Sequence, residues 1–142
     1  MQRFLHFIAA IFIISCQKQW YENYDYDTFS INGRDCIFIR PNGEANGNWI
    51  VRPAFLGLYP QVDDSLLSRG WSFAFCDVTH EYANYKAQED FEKFYKYIME
   101  HYDVKPKFAL EGLSRGGIFL SLMQFVTPSR SVASMWMPLF VI

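Results

Sequence analysis

Lys107-Phe108-Ala109-Leu110-Glu111-Gly112-Leu113-Ser114-Arg115-Gly116-Gly117-Ile118 decides how this chain is read. Residues 107–110 read as a short buried strand, and 118–126 as an apolar helix stopped by Pro128. Between them Gly112-Leu113-Ser114-Arg115-Gly116 matches the pattern Gly-x-Ser-x-Gly. A serine in a tight strand-to-helix turn has its hydroxyl lifted clear of both elements. Gly112 and Gly116 remove the side chains that would clash there, and the helix start turns free N–H groups toward an oxyanion. The pattern therefore points to Ser114 as a nucleophile.

Upstream, Phe29-Ser30-Ile31 and Cys36-Ile37-Phe38-Ile39 flank Asn32-Gly33, the strongest short signal for a two-residue hairpin turn. A Gly- and Asn-rich loop over 41–48 leads to a buried strand, Trp49-Ile50-Val51, which ends at Arg52-Pro53-Ala54-Phe55. Residues 63–69 predict a helix with Leu66 and Leu67 inward, closed by Gly70. Trp71-Ser72-Phe73-Ala74-Phe75-Cys76 is nearly all apolar, as a strand covered on both faces must be. Residues 84–102 carry Phe91, Phe94, Tyr95, Ile98 and Met99 at helical spacing, with acids early and His101 late to suit the helix dipole. The aromatic stripe is core rather than a cofactor site.

This order of elements and the serine motif together resemble the N-terminal part of a bacterial α/β-hydrolase of the esterase and prolyl-oligopeptidase-like kind, over roughly residues 29–126. The fold class expected is α/β: an antiparallel hairpin, then parallel strands with crossover helices and a nucleophile elbow, truncated after the elbow helix. The resemblance also implies an oxyanion hole, with one N–H from Arg115 and a second from the loop after the 49–51 strand. Phe55, or failing it Ala54, is the candidate, since Pro53 has no N–H. No His-Gly-Gly sequence stands there, so this assignment rests on position in the fold. His80, in the loop after the 71–76 strand, is a weaker candidate base, because the family supplies its acid and histidine after the serine.

The 142 residues make room for one domain, and 51% apolar content with 19% aromatic is ample for a core. A net charge of −2, with scattered Lys and Arg, leaves no basic surface for nucleic acid. The histidines are isolated and no Cys or His pair has ligand spacing, so neither metal nor cofactor is expected.

Residues 1–15 carry Arg3 and then an apolar run from Phe4 to Ile14, the make-up of an export signal too short to span a bilayer comfortably. Ile13-Ile14-Ser15-Cys16 resembles a bacterial lipobox, which implies lipidation of Cys16 and a membrane anchor holding the protein in the periplasm or at the cell surface. Each buried lipid methylene contributes about 0.8 kcal/mol. Residues 16–28 then form a tether whose Trp20, Tyr21, Tyr24 and Tyr26 either pack on the first strands or present a sugar-stacking surface. The domain proper is expected over 29–142. An exported protein can carry a Cys36–Cys76 disulfide; equally, the two can be small buried hydrophobes on neighbouring strands.

Residues 118–142 contain no Asp, Glu or His, so a triad in the order serine, acid, histidine cannot be completed there. Two readings of this segment stand. In one, it is out of frame: displaced by two nucleotides, the single-codon residues Met135, Trp136 and Met137 read Val-Asp-Ala, and 123–129 can read Ala-Ile-Arg-Asn-Pro-Glu. In the other, 135–142 is one more strand. The function expected is a serine hydrolase acting on a small-molecule or carbohydrate ester, or a peptide bond, through Ser114, but inactive as this chain. The alternative is a noncatalytic lipid-anchored binding protein that keeps the hydrolase sheet. Substrate and oligomeric state are left open by the sequence.

Overall fold

The computed structural model describes residues 19–78, 84–126 and 131–137, the last as backbone. The leader with Cys16, the loop with His80 and the segment beyond 137 lie outside these residues.

A hairpin opens the sheet. Strands β1 (Tyr26–Ile31) and β2 (Arg34–Ile39) pair antiparallel, and their turn holds Asn32 at φ 52° and Gly33 at φ 79°. Two successive left-handed residues are what a two-residue turn of matching twist requires, and Asn-Gly supplies them. The hairpin is tied down at its tip: Asn32 Nδ2 and Arg34 Nε each donate to the Asp90 carboxylate at 2.6 Å. Burial pushes the Asp90 carboxyl up, but these two hydrogen bonds outweigh it and hold the group below its ordinary range.

Strands β3 (Trp49–Arg52), β4 (Ser72–Cys76), β5 (Phe108–Leu113) and β6 (Ser131–Met137) complete a six-stranded sheet in the order β1-β2-β4-β3-β5-β6. The β2–β4 pairing is antiparallel; β4–β3, β3–β5 and β5–β6 are parallel. Strands β3, β4 and β5 are buried along their whole length because helices cover both faces. On one face, helices α2 (Tyr85–His101) and α3 (Arg115–Val126) bring Phe91, Phe94, Ile98 and Phe119 against Trp49, Val51, Ala74 and Leu110. On the other, α1 (Gln61–Leu67) sets Leu67 among Ile50, Phe73 and Ala109. Successive strand residues go to opposite faces, as the pleat dictates, and each large side chain so buried is worth about 1.5–3 kcal/mol.

Several boundaries differ from the sequence expectation for physical reasons. β1 begins at Tyr26, inside the stretch assigned to the tether, and Trp20–Asn23 forms a 3-10 turn. The leader aromatics pack on the sheet, with Trp20 edge-on to Phe73 at 5.5 Å and Tyr21 against Tyr26 at 5.0 Å. α1 starts at Gln61 and turns Asp63, not Leu66, fully inward. β5 runs on through Glu111 to Leu113, because the Glu111 charge is paired inside the protein. α3 starts at Arg115, its glycines included. A sixth strand stands at Ser131–Met137 alongside β5; the reading of 135–142 as a strand overlaps it only at 135–137, and 138–142 lie outside the described residues.

Candidate active site

Ser114 stands between the last residue of β5 and the first of α3, exposed and at φ 49°. A left-handed conformation costs a non-glycine residue roughly 1–2 kcal/mol, so the turn is held by what surrounds it. On the helix side, Gly117 N–H donates to the Ser114 carbonyl at 2.9 Å and opens α3. Gly112 lies in β5, opposite Trp136 of β6. Gly116 sits against the loop that follows β3: a Cβ there would stand 3.1 Å from Ala54 Cβ and 3.5 Å from Pro53 Cγ. Glycine at 116 thus lets the helix start touch this loop, and Ala54 is fully buried in the contact.

The loop itself is bent sharply. Phe55 is left-handed at φ 56°, and Leu58 N–H closes a turn onto its carbonyl at 3.1 Å. The Phe55 ring lies under the Arg115 guanidinium, 5.7 Å from ring centre to cation. Phe55 and Arg115, the two residues expected to offer oxyanion N–H groups, are thus in contact through their side chains.

Beneath the turn lies a cluster that the sequence reading did not find. Arg52, Asp63 and Glu111 are each fully buried. Arg52 Nη2 is 2.8 Å from Asp63 Oδ2 and 2.8 Å from Glu111 Oε1, with its N–H bonds out of line to both, while Nε donates to Glu111 Oε2 at 3.3 Å. The same guanidinium donates through Nη1 to the carbonyls of Leu58 at 2.6 Å and Phe55 at 3.3 Å. One cation thus joins the ends of β3 and β5, helix α1, and both ends of the Phe55 turn. Two carboxylates against one guanidinium leave a surplus negative charge with no water to solvate it. Burial pushes the Asp63 carboxyl up to about 9 against the pull of Arg52, and Glu111 adds to the shift. The raised carboxyl favours the protonated form of Asp63 and so relieves that surplus. A single acid three residues before the serine and an arginine ending a strand were the only traces of this cluster in the sequence.

No general base is joined to Ser114 among the described residues. Their one histidine is His101, at the end of α2 that leads into the start of β5, whereas Ser114 follows the far end of that strand. Its Nδ1 is within hydrogen-bonding distance of the Tyr97 carbonyl, at 2.8 Å, and its ring stacks on Tyr97. Among the described residues no three His, Cys, Asp or Glu side chains form a metal-binding group, and no helix is long and apolar enough to cross a membrane.

With this geometry in hand, likeness to solved structures becomes informative. An α/β-hydrolase fold protein from Chitinophaga pinensis superposes with a TM-score of 0.59 at 14% identity, over 82% of this chain and 44% of that one. The fold is that of the α/β-hydrolases. An aminopeptidase from the marine sediment archaeon Thaumarchaeota archaeon gives a TM-score of 0.58 at 14% identity, over 82% of this chain and 26% of that one. An esterase of the bacterial hormone-sensitive lipase family gives 0.52 at 16% identity, over 82% and 44%. This chain therefore spans about a quarter to under a half of the length of these structures, and corresponds to part of the hydrolase fold. No protein-family model and no curated protein matches it.

In chemical terms, the arrangement offers an accessible hydroxyl in a strained turn, backbone N–H groups at a helix start, and a second loop held rigidly beside it.

Proposed function

We propose that this chain carries the nucleophile of a serine hydrolase acting by acyl transfer on an ester or peptide bond. The observation that carries the reading is Ser114 itself, exposed and left-handed at the junction of β5 and α3. Its Oγ attacks the substrate carbonyl, and the N–H groups of Arg115 and Phe55 receive the oxyanion. Small-molecule and carbohydrate esters are the substrate class put forward, with the protein exported and lipid-anchored through Cys16. Because residues 118–142 hold no acid or histidine, the chain by itself is proposed to be inactive. Loss of the base from a serine nucleophile costs on the order of 10⁴- to 10⁶-fold in rate.

A fluorophosphonate probe tests this, with imidazole added to stand in for the base. Slow labelling that imidazole accelerates and Ser114→Ala abolishes supports the hydrolase reading. A folded protein that stays unlabelled, or a label that survives Ser114→Ala, overturns it. The alternative in that event is a noncatalytic lipid-anchored binding protein built on the same sheet.

A further inference from the structure

We propose that Cys36 and Cys76 form a disulfide across strands β2 and β4. The two cysteines are direct partners in the antiparallel register of these strands. Which kind of partner is settled by a neighbouring hydrogen bond: Asp77 N–H donates to the Asp35 carbonyl at 3.2 Å. A bond from the residue after Cys76 to the residue before Cys36 marks 36 and 76 as a non-hydrogen-bonded pair. In such pairs the Cα atoms stand about 4.5 Å apart with their side chains close on one face. That separation lies inside the roughly 4.4–6.8 Å over which a disulfide closes without moving backbone.

The side chains satisfy the same condition. Both cysteines belong to the cluster under α2, with 4% and 0% exposure, and both are free thiols in this structure. Cys36 Sγ lies 3.6 Å from the Arg34 carbonyl, and the neighbouring Cys36 thiol together with burial raises the Cys76 thiol above its ordinary range. A thiol so placed is a poor thiolate in the finished fold, so exchange belongs to folding, while the strands are still open. One cysteine thiolate attacks a sulfur of a disulfide donor, glutathione disulfide or a disulfide-carrying oxidoreductase, and releases the first donor thiol. The second cysteine thiolate attacks the first cysteine's sulfur in that mixed disulfide and releases the second donor thiol. Two cysteine protons and two electrons pass to the donor, and one S–S bond is made for one broken.

The bond would join the opening hairpin to the parallel part of the sheet. It closes the chain between 36 and 76, the segment that contains β3, the Phe55 turn and α1. The inference is independent of any role for Ser114.

The test is to refold the full chain in a mixture of reduced and oxidised glutathione, block remaining thiols with N-ethylmaleimide in denaturant, and map the peptides by mass. The expected product takes one maleimide, on Cys16, is lighter by about 2 Da elsewhere, and contains a peptide pair linking Cys36 to Cys76. It also unfolds at higher urea than the dithiothreitol-treated protein, and Cys36→Ser loses both the linked pair and that difference. Three blocked thiols overturn the proposal. So does a statistical mixture of pairings involving Cys16, which is what an unfolded chain would give.

Discussion

Arg52 and Glu111 meet 2.8 Å apart with neither side chain in contact with solvent. Glu111 meets the cation through both carboxylate oxygens, Oε1 facing Nη2 and Oε2 accepting from Nε. Glu111→Gln removes that charge and leaves Asp63 as the remaining acid against the buried guanidinium. Breaking a buried pair this way costs about 3–5 kcal/mol. Urea unfolding checks it, and a loss under about 1 kcal/mol would show that Arg52 finds other compensation.

Asp63 predicts an unusual pH dependence. Its carboxyl is raised in the folded protein to about 9 from the ordinary 3.8, so in that window the folded state holds a proton that the unfolded state has released. Its contribution is fully present below about pH 4, declines as pH rises, and is gone above about 9. Asp63→Asn, which is neutral at every pH, is expected to fold and to flatten this decline. Stability curves of the two proteins that run parallel from pH 4 to 9 would contradict the assignment.

Glycine to alanine in a helix ordinarily stabilises, by roughly 0.5–1 kcal/mol. Gly116→Ala is expected to do the reverse and cost about 1–3 kcal/mol, since its new Cβ meets the buried Ala54 Cβ at 3.1 Å. The second-site change Ala54→Gly removes the opposing methyl and should recover much of the loss. Denaturant midpoints of the single and double variants decide the matter.

Strain at the elbow is measurable without any substrate. Ser114→Gly takes away the Cβ that makes φ 49° unfavourable, and after the added freedom of the unfolded chain it should gain about 0.5–1 kcal/mol. Ser114→Ala keeps the Cβ and should leave stability within about 0.5 kcal/mol of the parent. Equal midpoints for all three proteins would mean that the turn is relaxed.

The elements legible in the sequence were those signalled by local chemistry. Asn32-Gly33 announced its hairpin, the unbroken run ending at Cys76 announced a buried strand, and Gly-x-Ser-x-Gly announced the turn at Ser114. Boundaries set at a charge or a glycine fall short: the local pattern ends the strand at Leu110 before Glu111, gives the helix after β3 Leu66 and Leu67 as its inward residues without Asp63, and begins the elbow helix at Ile118 after Gly116-Gly117. Each is explained by a partner remote in sequence, Arg52 for the two acids and Ala54 for Gly116. A single sequence gives the residue but not the partner. The left-handed Phe55 had no local signal at all, because aromatic residues rarely adopt that conformation and nothing adjacent demands it.

The pairing of Arg52 with Glu111 across 59 residues also sets an order of events. A peptide holding only β5, Ser114 and α3 contains neither the Arg52 cation nor the Ala54 contact, so nothing in it compensates a left-handed serine. β5 finds its place only after β3 and the loop behind it exist, and such long-range closure is slow to form. The turn at Ser114 is therefore expected to form late in folding, its geometry set by assembly of the sheet centre rather than by a preference of the residues that compose it.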